Sequence, residues 1–219
     1  MNINVNHVDL YYKKTGEGSP LILLHGNGED HCIFDAIAMK LKKTFTVYAI
    51  DSRNHGQSQK TEDYSYAAMA EDIKCFIQKM NLGKADIIGF SDGAIIALML
   101  AMKHENLVRK MALLGVNLTP DDFTKESFQF IKDTYETTKD PLFKMMLEQP
   151  NIDLESVKTV AIPTLIVGGE NDIFKPETFQ NLEAALPNAA LKIMPGCGHD
   201  DYIVGKDILY DDLKEFLEK

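Results

Sequence analysis

ADIIGFSDGAIIALMLAMKH, residues 85–104, decides how the rest of the chain is read. Its first six residues form a short apolar run suited to a buried strand, and the stretch from Ala94 onward is rich in strong helix formers. Between them stands Gly89-Phe90-Ser91-Asp92-Gly93, a serine at the junction with glycines two places before and two places after. So tight a turn leaves no room for side chains at the flanking positions, and glycine removes them. The serine hydroxyl would then stand clear of the backbone above a helix N-terminus, where peptide dipoles favour developing negative charge. Strand, tight turn and helix in that order are the setting of a nucleophile elbow, which makes Ser91 the expected nucleophile.

Outward from this segment the same rhythm recurs. Apolar runs at PLILLHG (20–26), TVYAID (46–51), KMALLGV (110–116), PTLIVGG (163–169) and ALKIM (190–194) read as strands. Helical stretches are expected at about 31–43, 66–80, 92–104, 176–186 and 207–218. Strands apolar on both faces belong inside a parallel sheet. Their alternation with helices predicts an α/β fold, a mostly parallel central sheet flanked by helices through right-handed crossovers. Near the start, Ile3, Val5, Val8, Leu10 and Tyr12 alternate like a strand pair with Asn6-His7 in the turn. One interval, 118–158, lacks a clear strand. Thr119-Pro120-Asp121-Asp122 and Asp140-Pro141 there read as helix starts, and the expectation is a short helical cap inserted within a single domain, 1–219.

Composition removes several classes of function. With 219 residues the chain supports one sizeable core. Asp plus Glu number 33 against 23 Lys plus Arg, and the net charge of -10 repels phosphate backbones, so no nucleic-acid partner is expected. Cys32, Cys75 and Cys197 are scattered, as expected of small buried hydrophobes in a reducing compartment. The opening MNINVNHVDLYYKK lacks the pattern of a signal peptide, and no apolar run approaches the roughly 20 residues of a membrane span. A cytoplasmic protein is expected. The histidines show no HxxE or HxH spacing, so no metal is expected.

A second glycine-rich turn, His25-Gly26-Asn27-Gly28, directly follows the strand PLILL. A loop there can present a backbone N–H to an oxyanion, and Asn27 is the expected donor, with the N–H of Asp92 as the other. Together with DSRNHGQS (51–58), GFSDG and GCGHD (196–200), this loop makes nearly the whole chain resemble the α/β-hydrolase superfamily, in its branch of small serine esterases and lipases. The family's DxRGHGxS pattern carries Asn54 in place of a glycine, and Asn also tolerates left-handed backbone angles. Arg53 and His55 in that stretch are expected to hold the loop.

The resemblance implies the chain order serine, acid, histidine. It makes His199 the base and Asp172 the acid, with Glu170 one register slip away. The implied activity is hydrolysis of a small carboxylic ester or amide through a Ser-His-Asp triad and an acyl-enzyme, without a cofactor. The same triad also supports C–C bond hydrolysis and perhydrolysis, whereas a dehalogenase would place Asp where Ser91 stands. An alternative on this fold is a small-molecule receptor with little turnover. Within the cap, Phe123, Phe128, Phe143 and Met146 are expected to line a pocket for the small-molecule ester. Some family members that cleave amino-acid esters carry the same Gly-aromatic-Ser-Asp-Gly elbow, and this resemblance offers Asp92 as an ammonium-binding acid. The bland reading of Asp92 is a helix-terminal carboxylate.

Overall fold

The computed structural model describes residues 1–219. β1 (Asn2–Val5) and β2 (Val8–Thr15) form a hairpin whose two turn residues, Asn6 and His7, have φ of 46° and 63°. Two positive φ values in a two-residue loop match the right-handed twist of the flanking strands. β3 (Ser19–Leu24), β4 (Phe45–Ile50), β5 (Ala85–Phe90), β6 (Val108–Leu114), β7 (Thr164–Gly169) and β8 (Ala189–Met194) complete one sheet. Its order is β1-β2-β4-β3-β5-β6-β7-β8. The β1–β2 and β2–β4 pairs are antiparallel and every other pair is parallel.

The helices are α1 (Asp35–Leu41), α2 (Tyr66–Lys79), α3 (Asp92–His104), α4 (Lys125–Thr138), α5 (Pro141–Glu148), α6 (Leu154–Val157), α7 (Pro176–Ala185) and α8 (Tyr210–Glu218). They cover both faces of the sheet. Leu21, Leu23, Ile88 and Leu114 point to one face and pack with Ile37 and Leu41 of α1 and Leu213 and Leu217 of α8. Ile22, Leu24, Ile87 and Leu113 point to the other, into a larger core shared with α2, α3, α7 and the insertion between β6 and β7. Side chains alternate across a strand, so a strand covered on both faces must be apolar at every position. That requirement explains the unbroken apolar runs. Helix α3, packed against both the sheet and α2, is apolar on all sides for the same reason: Ile96, Leu98 and Leu100 are fully buried.

Three elements differ from the periodicity. The helix predicted over 31–43 opens with a 3₁₀ turn, His31–Phe34, before α1. That turn directs His31 and Phe34 inward and leaves Cys32 exposed, while Cys75 and Cys197 are half-buried; all three are free thiols, so burial is not their common state. The helix start at Thr119 yields only a 3₁₀ turn, Pro120–Asp122, closed by reciprocal capping between Thr119 and Asp122. Phe123 then turns extended to bridge Phe174, and α4 begins two residues later, capped by the Thr124 hydroxyl, which accepts the Ser127 N–H at 3.2 Å. The last helix begins at Tyr210. No helix is long and apolar enough to cross a membrane.

Candidate active site

Ser91 alone makes the turn between β5 and α3, with φ 52° and ψ -115°. A residue with a side chain rarely adopts such angles, and holding one there costs about 1–3 kcal/mol. The close packing of the turn explains its glycines: a Cβ at Gly89 would lie 2.2 Å from the Gly93 carbonyl oxygen, and one at Gly93 would lie 2.0 Å from that of Leu24. The Ser91 N–H donates to Leu114 O of β6 at 2.8 Å, which pins the turn to the neighbouring strand.

Two loops converge on this serine. Asp172 follows β7 and His199 follows β8, adjacent parallel strands whose C-terminal ends lie on the same side of the sheet. His199 Nε2 is 3.1 Å from Ser91 Oγ, and His199 Nδ1 is 2.8 Å from Asp172 Oδ1. An ionised carboxylate only accepts, so Nδ1 carries the proton and Nε2 is left to accept from the serine hydroxyl. The Asp172 carboxylate is fixed in turn by the Gly169 N–H at 3.0 Å and the Phe174 N–H at 3.3 Å. The Phe90 and Phe174 rings flank the imidazole at 4.9 and 5.2 Å between centroids. Glu170, the rival acid, accepts the Gly196 N–H at 2.6 Å and does not reach His199.

The backbone N–H groups of Asn27 and Asp92 have no protein acceptor. Both residues adjoin Ser91: Asn27 lines the same cavity, and Asp92 is the first residue of α3. The loop carrying Asn27 is anchored by His25, whose Nε2 accepts the Ser52 N–H at 3.0 Å while Nδ1 donates to Gly26 O at 2.8 Å. Burial, reinforced by the neighbouring His55, pushes His25 down to about 4 and keeps it neutral. In the DSRNHGQS stretch, Asn54 has φ 69°, and Arg53 forks onto Asp72 with two bonds of 2.7 Å.

The Asp92 side chain is engaged within the protein. Its carboxylate is buried and already takes the Tyr66 hydroxyl at 2.7 Å and the Asn27 side-chain amide at 3.0 Å. Desolvation pushes this carboxyl up, opposed by those two donors and by His55 and His199. Asp92 does not line the cavity, so an ammonium group would have to displace Tyr66 or Asn27 to reach it. Nothing in the sequence pairs Tyr66 with Asp92, which lies 26 residues further on.

In front of Ser91 lies a cavity of about 340 Å³, lined among others by Gly26, Asn27, Glu29, Met146, His199 and Asp200. A second, apolar cleft of about 360 Å³ adjoins it through Met146 and Ile173 and is walled by Phe130, Ile131 and Phe143. Of the four cap residues expected at the pocket, Phe143 and Met146 line these spaces. Phe123 instead packs on Phe174 at 4.8 Å inside the core, and Phe128 is partly exposed and lines neither space. The helical interval reaches the site directly, because the Asn27 side chain also donates to Leu142 O at 3.4 Å. Glu29 is a residue the sequence reading missed. Its only signal is its place two residues after Gly-Asn, and its Oε2 accepts the Gly26 N–H at 2.9 Å.

The chain is similar in sequence and in fold to known proteins. Residues 19–143 match a family model described as alpha/beta hydrolase fold. The AB hydrolase superfamily protein YisY of Bacillus subtilis is 38% identical over 112 residues, 50% of this chain and 42% of that protein. The serine hydrolase BPHL of Homo sapiens is 28% identical over an alignment covering 99% of this chain and 85% of that protein. Among solved structures, the meta-cleavage product hydrolase of Pseudomonas fluorescens IP01 superposes with a TM-score of 0.84 at 23% identity, covering 100% of this chain and 97% of that one.

Proposed function

From the premise that the chain belongs to the α/β-hydrolase fold family, we propose that Ser91, His199 and Asp172 form the catalytic triad of a serine hydrolase that cleaves a small carboxylic ester. The observation that carries this reading is the continuous hydrogen-bonded relay from Asp172 through His199 to a serine held at positive φ at the cavity wall. The attacking Ser91 oxygen forms a bond to the carbonyl carbon as its proton passes to His199 Nε2. Asp172 orients the ring and stabilises the imidazolium, with its own proton count unchanged. The carbonyl oxygen becomes an oxyanion, which the N–H groups of Asn27 and Asp92 receive; such donors contribute a few kcal/mol each. Collapse expels the alcohol, protonated by His199, and leaves an acyl-Ser91. Water then attacks with His199 as base again, releasing the acid and restoring the serine.

The neighbouring apolar cleft supports an ester with one apolar arm, seated against Phe143 and Met146 beneath the helical cap. Relatives also include a protein named 2-hydroxy-6-oxo-6-(2'-aminophenyl)hexa-2,4-dienoic acid hydrolase, 27% identical over 90% of this chain. A substrate panel must therefore contain a C–C bond substrate beside esters and lactones. The first test is fluorophosphonate labelling of the protein, with Ser91→Ala and His199→Ala in parallel, read by intact mass. One adduct on the native chain and none on either variant is expected. A folded native chain that takes no adduct would sink the serine-hydrolase reading and bring forward a ligand-binding role without turnover.

A further inference from the structure

Glu29 lines the cavity in front of Ser91 and has no part in the triad chemistry. Its Oε2 is bonded to the Gly26 N–H, and a Cβ built at Gly26 would lie 2.7 Å from that oxygen and 3.1 Å from Ser91 Cβ. The carboxylate and the nucleophile therefore flank the same small space. Asp200 lines the cavity on the His199 side, and no lysine or arginine lines either this cavity or the apolar cleft beside it. A negative charge here is awkward for the reaction itself, because it faces the region in which the oxyanion forms. A charge of that sign also acts on whatever else shares the cavity, which is the substrate.

We propose that Glu29 is a specificity-determining residue: its carboxylate, set beside Ser91 in a cavity that no lysine or arginine lines, turns away substrates carrying a negative charge near the scissile carbonyl and favours neutral and cationic ones. This rests on Ser91 being the nucleophile. Inside a partly desolvated cavity, like charges a few ångströms apart repel several times more strongly than in water. The titratable groups facing Glu29 are His199 and Asp200 from the loop after β8 and Asp92 from α3. Burial, with Asp200 and Asp92 adding to it, outweighs the Gly26 N–H and His199 and pushes Glu29 up to about 7. The charge selection is therefore switched on as the pH rises through neutrality.

Three esters differing only at the far end of the acyl group test this: p-nitrophenyl butyrate, p-nitrophenyl hemisuccinate and p-nitrophenyl 4-(trimethylammonio)butyrate. At pH 8.5 and low salt, kcat/KM for hemisuccinate should fall at least about tenfold below butyrate, with the cationic ester at or above butyrate. Glu29→Gln keeps an acceptor for the Gly26 N–H and removes only the charge, so it should bring the three values together. The ratios of the native protein should converge in the same way at pH 5.5. Unchanged ratios in Glu29→Gln, or native ratios that stay constant from pH 5.5 to 8.5, would overturn the proposal; the second readout needs no variant to fold. Absence of any ester turnover together with no fluorophosphonate adduct on Ser91 would overturn the serine-hydrolase reading and this inference with it. Turnover of all three esters at equal rates would overturn this inference alone.

Discussion

Ser91 sits at φ 52° because two strands and a helix hold it there, and a serine bears the conformational cost of that position. Glycine adopts such angles freely. Ser91→Gly should therefore be about 1 kcal/mol more stable than Ser91→Ala in urea unfolding, although both lose the labelled hydroxyl. Equal stabilities would mean that the turn is not strained. Glu29 carries a second cost, which pH reveals. Its carboxyl is raised from 4.5 to about 7 on folding, so below 4.5 it is neutral in both states and has no effect. Between those values the unfolded chain ionises first, and native stability falls across that window before levelling off. Urea midpoints of the native protein and Glu29→Gln should diverge from pH 4.5 to 7.5, with the variant the more stable at the upper end. Parallel pH curves would show that Glu29 is no harder to ionise in the fold than out of it.

At the scale of elements, the site is assembled by parallel strand ends and one helical insertion. β7 and β8 run side by side, so the loops that leave them deliver Asp172 and His199 to the same edge as the β5 turn. The insertion contributes the apolar cleft through α4 and α5, and its contacts are of two kinds. Phe123 is taken by the core through Phe174, whereas Phe143 remains at the cleft wall. Phe143→Ala should thus change selectivity more than stability. A series of p-nitrophenyl esters from acetate to hexanoate should show kcat/KM rising by roughly fourfold per buried methylene in the native protein, from about 0.8 kcal/mol each, and a flatter series in the variant. Identical slopes would remove α5 from the substrate path. Phe123→Ala, by contrast, should cost about 3–5 kcal/mol of stability, as a buried aromatic does.

The whole molecule is one sheet with a core on each face. Ile87 belongs to the larger core and Ile88 to the smaller, yet they are neighbours on the same central strand. Neither core can be lost while β5 stays formed, and β5 carries the turn that presents Ser91. Ile87→Ala and Ile88→Ala should each cost about 2–5 kcal/mol. In both, secondary structure and fluorophosphonate reactivity should be lost in a single coincident urea transition. Two separated transitions, with labelling lost first, would show that the helical insertion or one face unfolds independently.

The order of strands and helices, the two-sided burial of the central strands and the place of the elbow were legible along the chain. Each is written in local periodicity: apolar runs too continuous for a one-sided sheet, and a serine between paired glycines at a strand-to-helix junction. His199 was likewise reachable, because few histidines follow Ser91. What periodicity does not carry is how side chains far apart in the sequence meet. Ser91 and His199 are 108 residues apart, and only the close of β7 against β8 turns Asp172, and not Glu170, toward that histidine. The same holds for Asp92, whose carboxylate Tyr66 and Asn27 claim from separate elements, and for Phe123, drawn inward by its bridge to Phe174. Glu29 is the plainest case. A glutamate in a polar loop is ordinary in sequence, and it acquires its meaning only because the folded chain half-buries it beside Ser91, where burial disfavours its charged form.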